Sequence, residues 1–168
     1  KVNLIETGEE TMTGGRLLSA EKYIGDKDFF LTYGDCISDI DLNKLYTNHK
    51  SNNKIATVTG ILQKNRFGSI SLDKKGKVLA FAEKPKESDT LISGGFFLLK
   101  KHIFKFLKNS QTIFEKEPLS SLAEKKQLNC YHHKGFWHPM DNLREKNHLE
   151  DLWNSGKAPW KKFIKKSI

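Results

Sequence analysis

The sequence is poor in cysteine and has no long apolar run, and each shortage excludes a class of protein. Only two cysteines, Cys36 and Cys130, occur among 168 residues. Their separation fits neither a disulfide framework nor a metal-ligand spacing. No apolar stretch approaches the roughly 18 residues of a membrane-spanning helix, and no secretory signal opens the chain. We therefore expect a cytoplasmic protein with no membrane partner.

Acidic residues are also scarce relative to basic ones. The 29 Lys and Arg residues outnumber 20 Asp and Glu residues, for a formal net charge of +9. This excess favours anionic partners such as phosphorylated small molecules. Four lysines and no acidic residue lie in the segment Trp160–Ile168, which belongs to a basic tail over 157–168. We expect this segment to be solvated. The alternative is that its apolar residues form a weak face for an interface or a partner. Base-stacking aromatics do not alternate with the basic residues elsewhere, so we expect no nucleic-acid partner.

The chain has the length of one domain, and its hydrophobic pattern predicts a mixed α/β sheet over residues 1–168. Apolar runs and alternations predict strands, which are Val2–Glu6, Phe29–Tyr33, Ile55–Gln63, Val78–Glu83, Ser93–Leu99 and Leu128–His132. Amphipathic stretches and start signals predict helices, which are Arg16–Tyr23, Leu42–His49, Lys101–Leu107, Pro118–Lys125 and Asn142–Asn154.

The stretch around which these elements are organised is Phe29–Asp41. Its apolar run breaks at Gly34 and is followed by the carboxylate of Asp35. Ligands of open α/β sheets bind at the carboxyl ends of strands, where Asp35 would lie. A carboxylate there suits a hard cation such as Mg²⁺. The alternative is that Asp35 only stabilises a turn.

A second carboxylate, Asp141, occupies a similar position between a predicted strand and a predicted helix. Two carboxylates from distant parts of the sequence can share one divalent ion. The alternative for Asp141 is that it caps the helix that follows it. The neighbouring histidines His132, His133 and His138 do not predict zinc, because they lack thiolate partners and a regular helical spacing.

Two further segments carry residues suited to phosphate or sugar. In Thr11–Arg16, which reads Thr-Met-Thr-Gly-Gly-Arg, backbone amides at a helix start lie beside Arg16 and suit a phosphate or a base edge. In Glu83-Lys84-Pro85, Lys84 suits a phosphate and Glu83 suits sugar hydroxyls. An ordinary glycine turn and a solvated charged turn are the respective alternatives.

Together these segments resemble a known family. They occur in the order Thr11–Arg16, Tyr33-Gly34-Asp35, Arg66-Phe67-Gly68, Glu83-Lys84-Pro85, Gly94-Gly95-Phe96-Phe97, Glu117-Pro118-Leu119, Gly135-Phe136-Trp137, Met140-Asp141 and Leu152–Trp160. The series resembles the sugar nucleotidyltransferases, and within them the glucose-1-phosphate cytidylyltransferases. The resemblance covers nearly the whole chain.

The resemblance implies a Rossmann-like α/β/α sandwich with a mixed sheet. It also implies a Mg²⁺-dependent enzyme of nucleotide-sugar synthesis, in which glucose 1-phosphate attacks the α-phosphorus of CTP to give CDP-glucose and pyrophosphate. Asp35 and Asp141 would hold the metal, and Lys84 and Arg16 would be catalytic. The implied substrate-binding residues are Thr11, Gly14, Gly15, Arg16, Gly34, Gly68, Glu83, Lys84 and Gly95.

The sequence departs from the family pattern in two respects. Cys36 stands where the family usually has glycine, beside the implied metal site. The glycine-rich loop Gly-x-Gly-Thr-Arg, which cradles the triphosphate in the family, is absent from these 168 residues. We therefore expect an N-terminally incomplete domain with essentially no activity alone. The alternative is a non-catalytic or degenerate relative that pairs with a complete subunit, and a homo-oligomer is also expected.

Overall fold

The architecture is built on one mixed sheet, seen in a computed structural model that describes residues 2–63, 69–82 and 90–163. The strands are β1 Phe29–Thr32, β2 Cys36–Ser38, β3 Ala56–Gln63, β4 Ser69–Leu72, β5 Val78–Ala82, β6 Thr90–Leu99, β7 Leu128–His133 and β8 Trp137–Pro139. Four of them form the main sheet, in the order β1-β6-β3-β7. Only the β3–β7 pair in it is parallel. Two antiparallel ribbons, β2 with β8 and β4 with β5, complete the strand pairing that is described.

Helices cover both faces of the main sheet. The described helices are α1 Thr13–Ser19, α2 Leu42–Asn52, α3 Glu117–Glu124 and α4 Leu143–Asn154, with 3₁₀ turns at Glu21–Tyr23, Lys101–Phe106 and Pro159–Phe163. Of these, α1 and α3 pack on one face of the main sheet and α2 packs on the other. Within the described ranges, none of the helices has the length and apolar character to cross a bilayer.

The alternation of side chains along β6 explains the layers. Leu98 points to one face and packs in a cluster with Leu45 of α2. Phe97 and Leu99 point to the other face and join a cluster that includes Leu17 of α1. Side chains of successive strand residues point to opposite faces, so a continuous apolar run fills two cores at once. The result is the α/β/α sandwich that the resemblance implied.

Most predicted elements are confirmed, with shifted ends, and three differ. Val2–Glu6 is not a strand, and the side chains of Val2 and Leu4 are 85% and 95% exposed. In the described part of the chain no strand lies beside this segment. A strand is stable only when it pairs with a neighbour, so the apolar alternation alone does not form one. The predicted helix Lys101–Leu107 is a 3₁₀ turn, and Arg16–Tyr23 is divided between α1 and a 3₁₀ turn. The strand predicted at Phe29–Tyr33 is present as β1, which is half-buried and lies at the edge of the main sheet.

The predicted solvated tail is wrong for its first part. Pro159–Phe163 forms a 3₁₀ turn in which the Trp160 ring lies 5.2 Å from that of Phe136. The ammonium of Lys162 pairs with Asp39 at 2.7 Å. The aromatic contact of Trp160 and the ion pair of Lys162 hold this part of the tail against the protein. Residues 164–168 of the predicted tail lie outside the described residues.

A buried histidine links α2 to the sheet. His49 has no exposed surface, and its Nδ1 lies 2.8 Å from the Thr57 hydroxyl of β3. Its Nε2 lies 3.6 Å from the Asp28 carboxylate, which also pairs with Lys50. Burial lowers the pKa of His49, and the charges of Lys100 and Lys50 add to that effect while Asp28 opposes it. The ring is therefore neutral in the folded protein at pH 7.

This burial predicts a loss of stability in mild acid. The pKa of His49 is lower in the folded chain than its ordinary value of 6.5, so below pH 6.5 the unfolded chain binds a proton that the folded chain resists. The free energy of unfolding should then fall by up to about 1.4 kcal/mol per pH unit until the folded pKa is reached. Urea unfolding between pH 7.5 and 5.0 measures this. His49→Gln should flatten the profile, and His102→Gln, at an exposed position, should not. Equal slopes in all three proteins would contradict the assignment.

Candidate functional site

The β2–β8 ribbon brings Asp35 and Asp141 to the same end of one element. Asp35 directly precedes β2, and Met140 and Asp141 directly follow β8. Cys36 pairs with Pro139 in the ribbon register. Beyond that pair, the Met140 N–H donates to the Asp35 carbonyl at 2.7 Å. Two residues that are far apart in the sequence thus become neighbours through a short antiparallel ladder.

The electrostatics of Cys36 indicate that both carboxylates lie near it. Burial raises the pKa of the Cys36 thiol, and the negative charges of Asp35 and Asp141 raise it further. A hydrogen bond with Trp137 acts in the opposite direction and lowers the pKa. Both aspartates are exposed. Both carboxylates therefore lie within Coulombic range of one thiol, as expected from their positions at the same end of the ribbon.

This pair fits a hard divalent cation. In the described ranges no group of three or more His, Cys, Asp or Glu side chains is arranged to hold a metal. Mg²⁺, however, typically uses one or two carboxylates and keeps water and substrate phosphates as its remaining ligands. Two exposed carboxylates at the same end of one ribbon meet that requirement.

Asp141 does not cap the helix that follows it. The N-cap of α4 is Asn142, whose side chain accepts from the Glu145 N–H at 3.1 Å. Glu145 in turn accepts from the Asp141 N–H at 3.0 Å. The capping interactions therefore use the backbone of Asp141 and not its carboxylate, and the alternative prediction for this residue is wrong.

Gly95 lies against the turn that carries Asp35. β6 has extra residues opposite β3 between the Val58–Phe97 and Gly60–Ser93 pairs, and Gly95 has a φ of +72° in this bulge. A Cβ on Gly95 would lie 3.1 Å from the Tyr33 ring and 3.6 Å from the Cys36 sulfur. Only glycine adopts such a conformation at little cost in so close a contact. The bulge therefore fixes β6 beside the Tyr33–Cys36 segment, which contains Gly34 and Asp35.

The glycines of Thr11–Arg16 seat α1 on the loop Ser110–Glu115. The N–H groups of Gly14 and Gly15 donate to the Thr112 carbonyl at 2.9 and 3.2 Å. A Cβ on Gly15 would lie 2.6 Å from the Cα of Ser110, which no real contact permits. These two amides, which the sequence suggested for a phosphate, are thus already bonded within the protein.

Arg16 holds the segment that precedes α1. Its guanidinium donates to the Thr7 hydroxyl at 2.6 Å and to the Glu9 carbonyl at 3.0 Å. The Thr11 hydroxyl also donates to the Thr7 carbonyl. Arg16 and Thr11 therefore belong to one hydrogen-bonded unit, and Arg16 remains exposed on its surface.

Sequence reasoning missed Glu115, which joins two parts of this region. Its carboxylate accepts from the Thr13 hydroxyl at 2.7 Å and from the Tyr33 hydroxyl. Burial raises the pKa of Tyr33 far above its ordinary value, and the bond to Glu115 adds to this, so the phenol remains a protonated donor. Nothing in the local pattern Phe-Glu-Lys-Glu-Pro distinguishes Glu115 from Glu117, because its partners lie elsewhere in the chain.

Asp39 fixes the other end of the ribbon. Its Oδ1 accepts from the Phe136 N–H at 2.8 Å and lies 3.1 Å from Nε2 of the buried His133, while its Oδ2 meets Lys162. Burial alone would raise the pKa of Asp39, but the hydrogen bonds from Lys162 and Phe136 and the neighbouring positive charges hold it below its usual value. The ionised carboxylate therefore anchors the approach to β8.

Three of the predicted site residues, Gly68, Glu83 and Lys84, lie outside the described residues. The structure brings together Gly34, Asp35, Gly95 and Asp141 at the end of the β2–β8 ribbon. It connects Thr11, Gly14, Gly15 and Arg16 to this region through the bond from Thr13 to Glu115 and on to Tyr33.

Comparison with known proteins matches the chain to one family and to named relatives. The family model for nucleotidyl transferase matches residues 1–140. The glucose-1-phosphate cytidylyltransferase of Salmonella typhimurium is 44% identical over 161 residues, 95% of this chain and 62% of that protein. The probable glucose-1-phosphate cytidylyltransferase of Bacillus subtilis is 41% identical over 96% of this chain and 63% of its own length. The chain thus spans less than two thirds of these relatives.

Solved structures share the fold at low sequence identity. HddC from Yersinia pseudotuberculosis superposes with a TM-score of 0.62 at 21% identity, over 86% of this chain and 64% of that one. A UDP-glucose pyrophosphorylase complexed with UDP-glucose gives a TM-score of 0.63 at 19% identity, over 89% of this chain and 64% of that one. These similarities establish the architecture alone.

The packing of α1 on Ser110–Glu115 predicts that Gly15→Ala destabilises the protein. The new methyl group would meet backbone atoms of Ser110, which cannot rotate away, so the helix must shift. The free energy of unfolding should fall by about 1–3 kcal/mol, as in other overpacked sites. Chemical denaturation measures it. Gly25→Ala is the matched control, because no atom lies within 4 Å of its added Cβ. Equal stability of the two variants would refute this packing role.

Proposed function

Because the chain belongs to the nucleotidyl transferase family, we propose that it supplies part of a sugar nucleotidyltransferase that makes CDP-glucose from CTP and glucose 1-phosphate. Asp35 and Asp141 hold Mg²⁺ in this proposal. The observation that carries it is the meeting of Asp35 and Asp141 at one end of the β2–β8 ribbon, joined by the Met140–Asp35 hydrogen bond of 2.7 Å. The names of the two relatives support cytidine as the base and glucose as the sugar.

The proposed reaction needs two anions to approach each other. A sugar phosphate oxygen attacks the α-phosphorus of the nucleotide while pyrophosphate leaves on the opposite side, so the main task is positioning and charge neutralisation. Bound Mg²⁺ would neutralise phosphate charge. In the chain itself, Asp35 and Asp141 contribute oxygen ligands on a rigid ribbon. Gly34 leaves room for a ligand beside that ribbon, because no atom lies within 4 Å of a Cβ built on it.

The remaining residues have roles by resemblance. Arg16 and Lys84 would neutralise phosphate charge on the nucleotide and on the sugar phosphate, as cations in such sites do. Thr11, Gly14 and Gly15 would border the nucleotide, while Gly68 and Glu83 would border the sugar. To bind a nucleotide phosphate, the Arg16 guanidinium would have to break or share its hydrogen bonds with Thr7 and Glu9.

A second candidate function is that of a partner that pairs with another subunit. The edge position of β1 favours it, because a strand at the edge of a sheet presents unpaired backbone groups to other chains. Phe30 of β1 is also 46% exposed. This candidate expects a homo-oligomer or a complex with a complete subunit. A stable monomer by analytical ultracentrifugation at micromolar concentration would argue against it.

We expect Mg²⁺-dependent binding of CDP-glucose by the 168-residue chain. Asp141→Asn should weaken binding in Mg²⁺ by at least about tenfold, because the ion loses one of its two charged ligands, and should leave binding in EDTA unchanged. Isothermal titration calorimetry measures both. Asp151→Asn removes an exposed carboxylate of α4 and serves as the charge-matched control. Equal affinity of wild type and Asp141→Asn in Mg²⁺ would exclude Asp141 as a ligand.

Base selectivity is a separate expectation of the same proposal. The thermal midpoint of the chain should rise more with CDP-glucose than with UDP-glucose or dTDP-glucose at equal concentration in Mg²⁺, because preferential binding to the folded state stabilises it. Differential scanning fluorimetry provides the comparison, and glucose 6-phosphate controls for an unspecific effect of phosphate on this basic protein. Identical shifts for the three nucleotide sugars would remove the cytidine assignment.

A further inference from the structure

The loop Ser110–Glu115 makes a continuous set of hydrogen bonds to the start of α1. The Met12 N–H donates to the Ser110 carbonyl at 2.9 Å, and the Gly14 N–H donates to the Thr112 carbonyl at the same distance. The Thr13 hydroxyl accepts from the Phe114 N–H at 2.9 Å. The Phe114 side chain is buried and packs edge-on against Phe97 of β6 at 5.3 Å. This loop is therefore rigidly tied to the main sheet.

Glu115 ends this loop and faces two segments at once. One carboxylate oxygen accepts from the Thr13 hydroxyl at 2.7 Å, and the other accepts from the Tyr33 hydroxyl. Thr13 is the first residue of α1, which carries Arg16. Tyr33 lies two positions before Asp35, and its N–H donates to the Gly95 carbonyl at 3.2 Å. A single side chain thus connects the helix of Arg16 with the turn of Asp35.

We propose that Glu115 is a positioning residue for the nucleotide sugar site, and that its carboxylate sets the Gly34–Asp35 turn relative to α1. The proposal rests on the proposed function. Two acceptor oxygens of one planar group have a fixed separation, so both donors, Tyr33 and Thr13, are held at fixed places. Hydrogen bonds to a charged acceptor are stronger than neutral ones, which makes the link effective even at an exposed position. In this role Glu115 acts through its bonds to Tyr33 and Thr13 rather than by contact with metal or substrate.

A purely structural role for Glu115 makes a different prediction. Loss of a surface hydrogen bond would lower the stability of the folded state without changing the affinity of molecules that remain folded. A positioning role instead lowers the affinity of the folded protein for the nucleotide sugar. The loss should be larger in Mg²⁺ than in EDTA, because the Tyr33–Glu115 bond sets the position of Asp35, the proposed metal ligand. The two roles therefore separate when binding is measured well below the unfolding transition.

The test is a double-mutant cycle of Glu115→Gln and Tyr33→Phe. Calorimetry measures CDP-glucose affinity with Mg²⁺ and with EDTA in wild type, both single variants and the double variant. We expect each single variant to bind about tenfold more weakly in Mg²⁺, because Glu115→Gln removes the charge of the Tyr33–Glu115 bond and Tyr33→Phe removes the bond itself. The double variant should bind no more weakly than the weaker single variant, since the two changes act on the same interaction. Glu124→Gln, an exposed glutamate on α3, should bind as wild type does. Unchanged affinity in Glu115→Gln, or losses that multiply in the double variant, would overturn the proposal.

A ligand-free measurement separates this proposal from the proposed function. Amide exchange followed by NMR should quicken about tenfold in Glu115→Gln at the N–H groups of Tyr33 and Gly14, which bond to Gly95 and Thr112. The N–H of Ala56, which bonds to Gln127 on the far side of the sheet, should not change. If wild type fails to bind CDP-glucose but these two amides respond, the proposed function fails and the link through Glu115 stands. If neither amide responds, the link is wrong whatever the protein binds.

Discussion

The hydrogen bond from Met140 to Asp35, at the end of the β2–β8 ribbon, is the constraint on which the candidate site depends. Each strand of the ribbon has only three residues, too few for an isolated pair to persist in water. It holds because its surroundings fix both strands: Asp39 bonds to Phe136 just before β8, and Trp137 donates to the Gly94 carbonyl of the main sheet at 2.8 Å. The carboxylates of Asp35 and Asp141 are thus placed by contacts that neither of them makes.

The sequence predicted the parts of this structure that depend on local pattern. The apolar runs at Phe29–Tyr33 and Ile55–Gln63 are strands, because a strand buried on one or both faces needs such residues whatever its neighbours are. Asp35 and Asp141 were predicted as site residues from their positions next to strands, and the ribbon places them at the same end. Val2–Glu6 has the same kind of pattern and is not a strand in the described structure, since pattern alone cannot supply a strand to pair with. The Glu115–Tyr33 bond joins residues whose proximity arises only from the folded topology, and no local pattern encodes it.

The two glycines of Thr-Met-Thr-Gly-Gly-Arg show how one residue type can serve two purposes. The resemblance places Gly14 and Gly15 beside a nucleotide, where a missing side chain lets backbone approach a ligand. The structure gives them a second reason, because the Thr112 and Ser110 backbone already occupies the space that a Cβ would need. Close approach of two backbones and close approach of a backbone to a ligand make the same demand on sequence. A glycine pair in such a motif is therefore weak evidence for binding until its neighbours are known.

The separation of Asp35 and Asp141 in the chain has a consequence for the order of folding. Of the described strands, β2 is the second in chain order and β8 is the last, so the ribbon closes the longest loop of any strand pair in the described structure. Closing a long loop costs more chain entropy than closing a short one, and such contacts form slowly. Hairpins such as β4–β5 can form while the chain is still on the ribosome. The two aspartates cannot meet until nearly all of these residues have been made, so a truncated or stalled product lacks the carboxylate pair even where its sheet has formed.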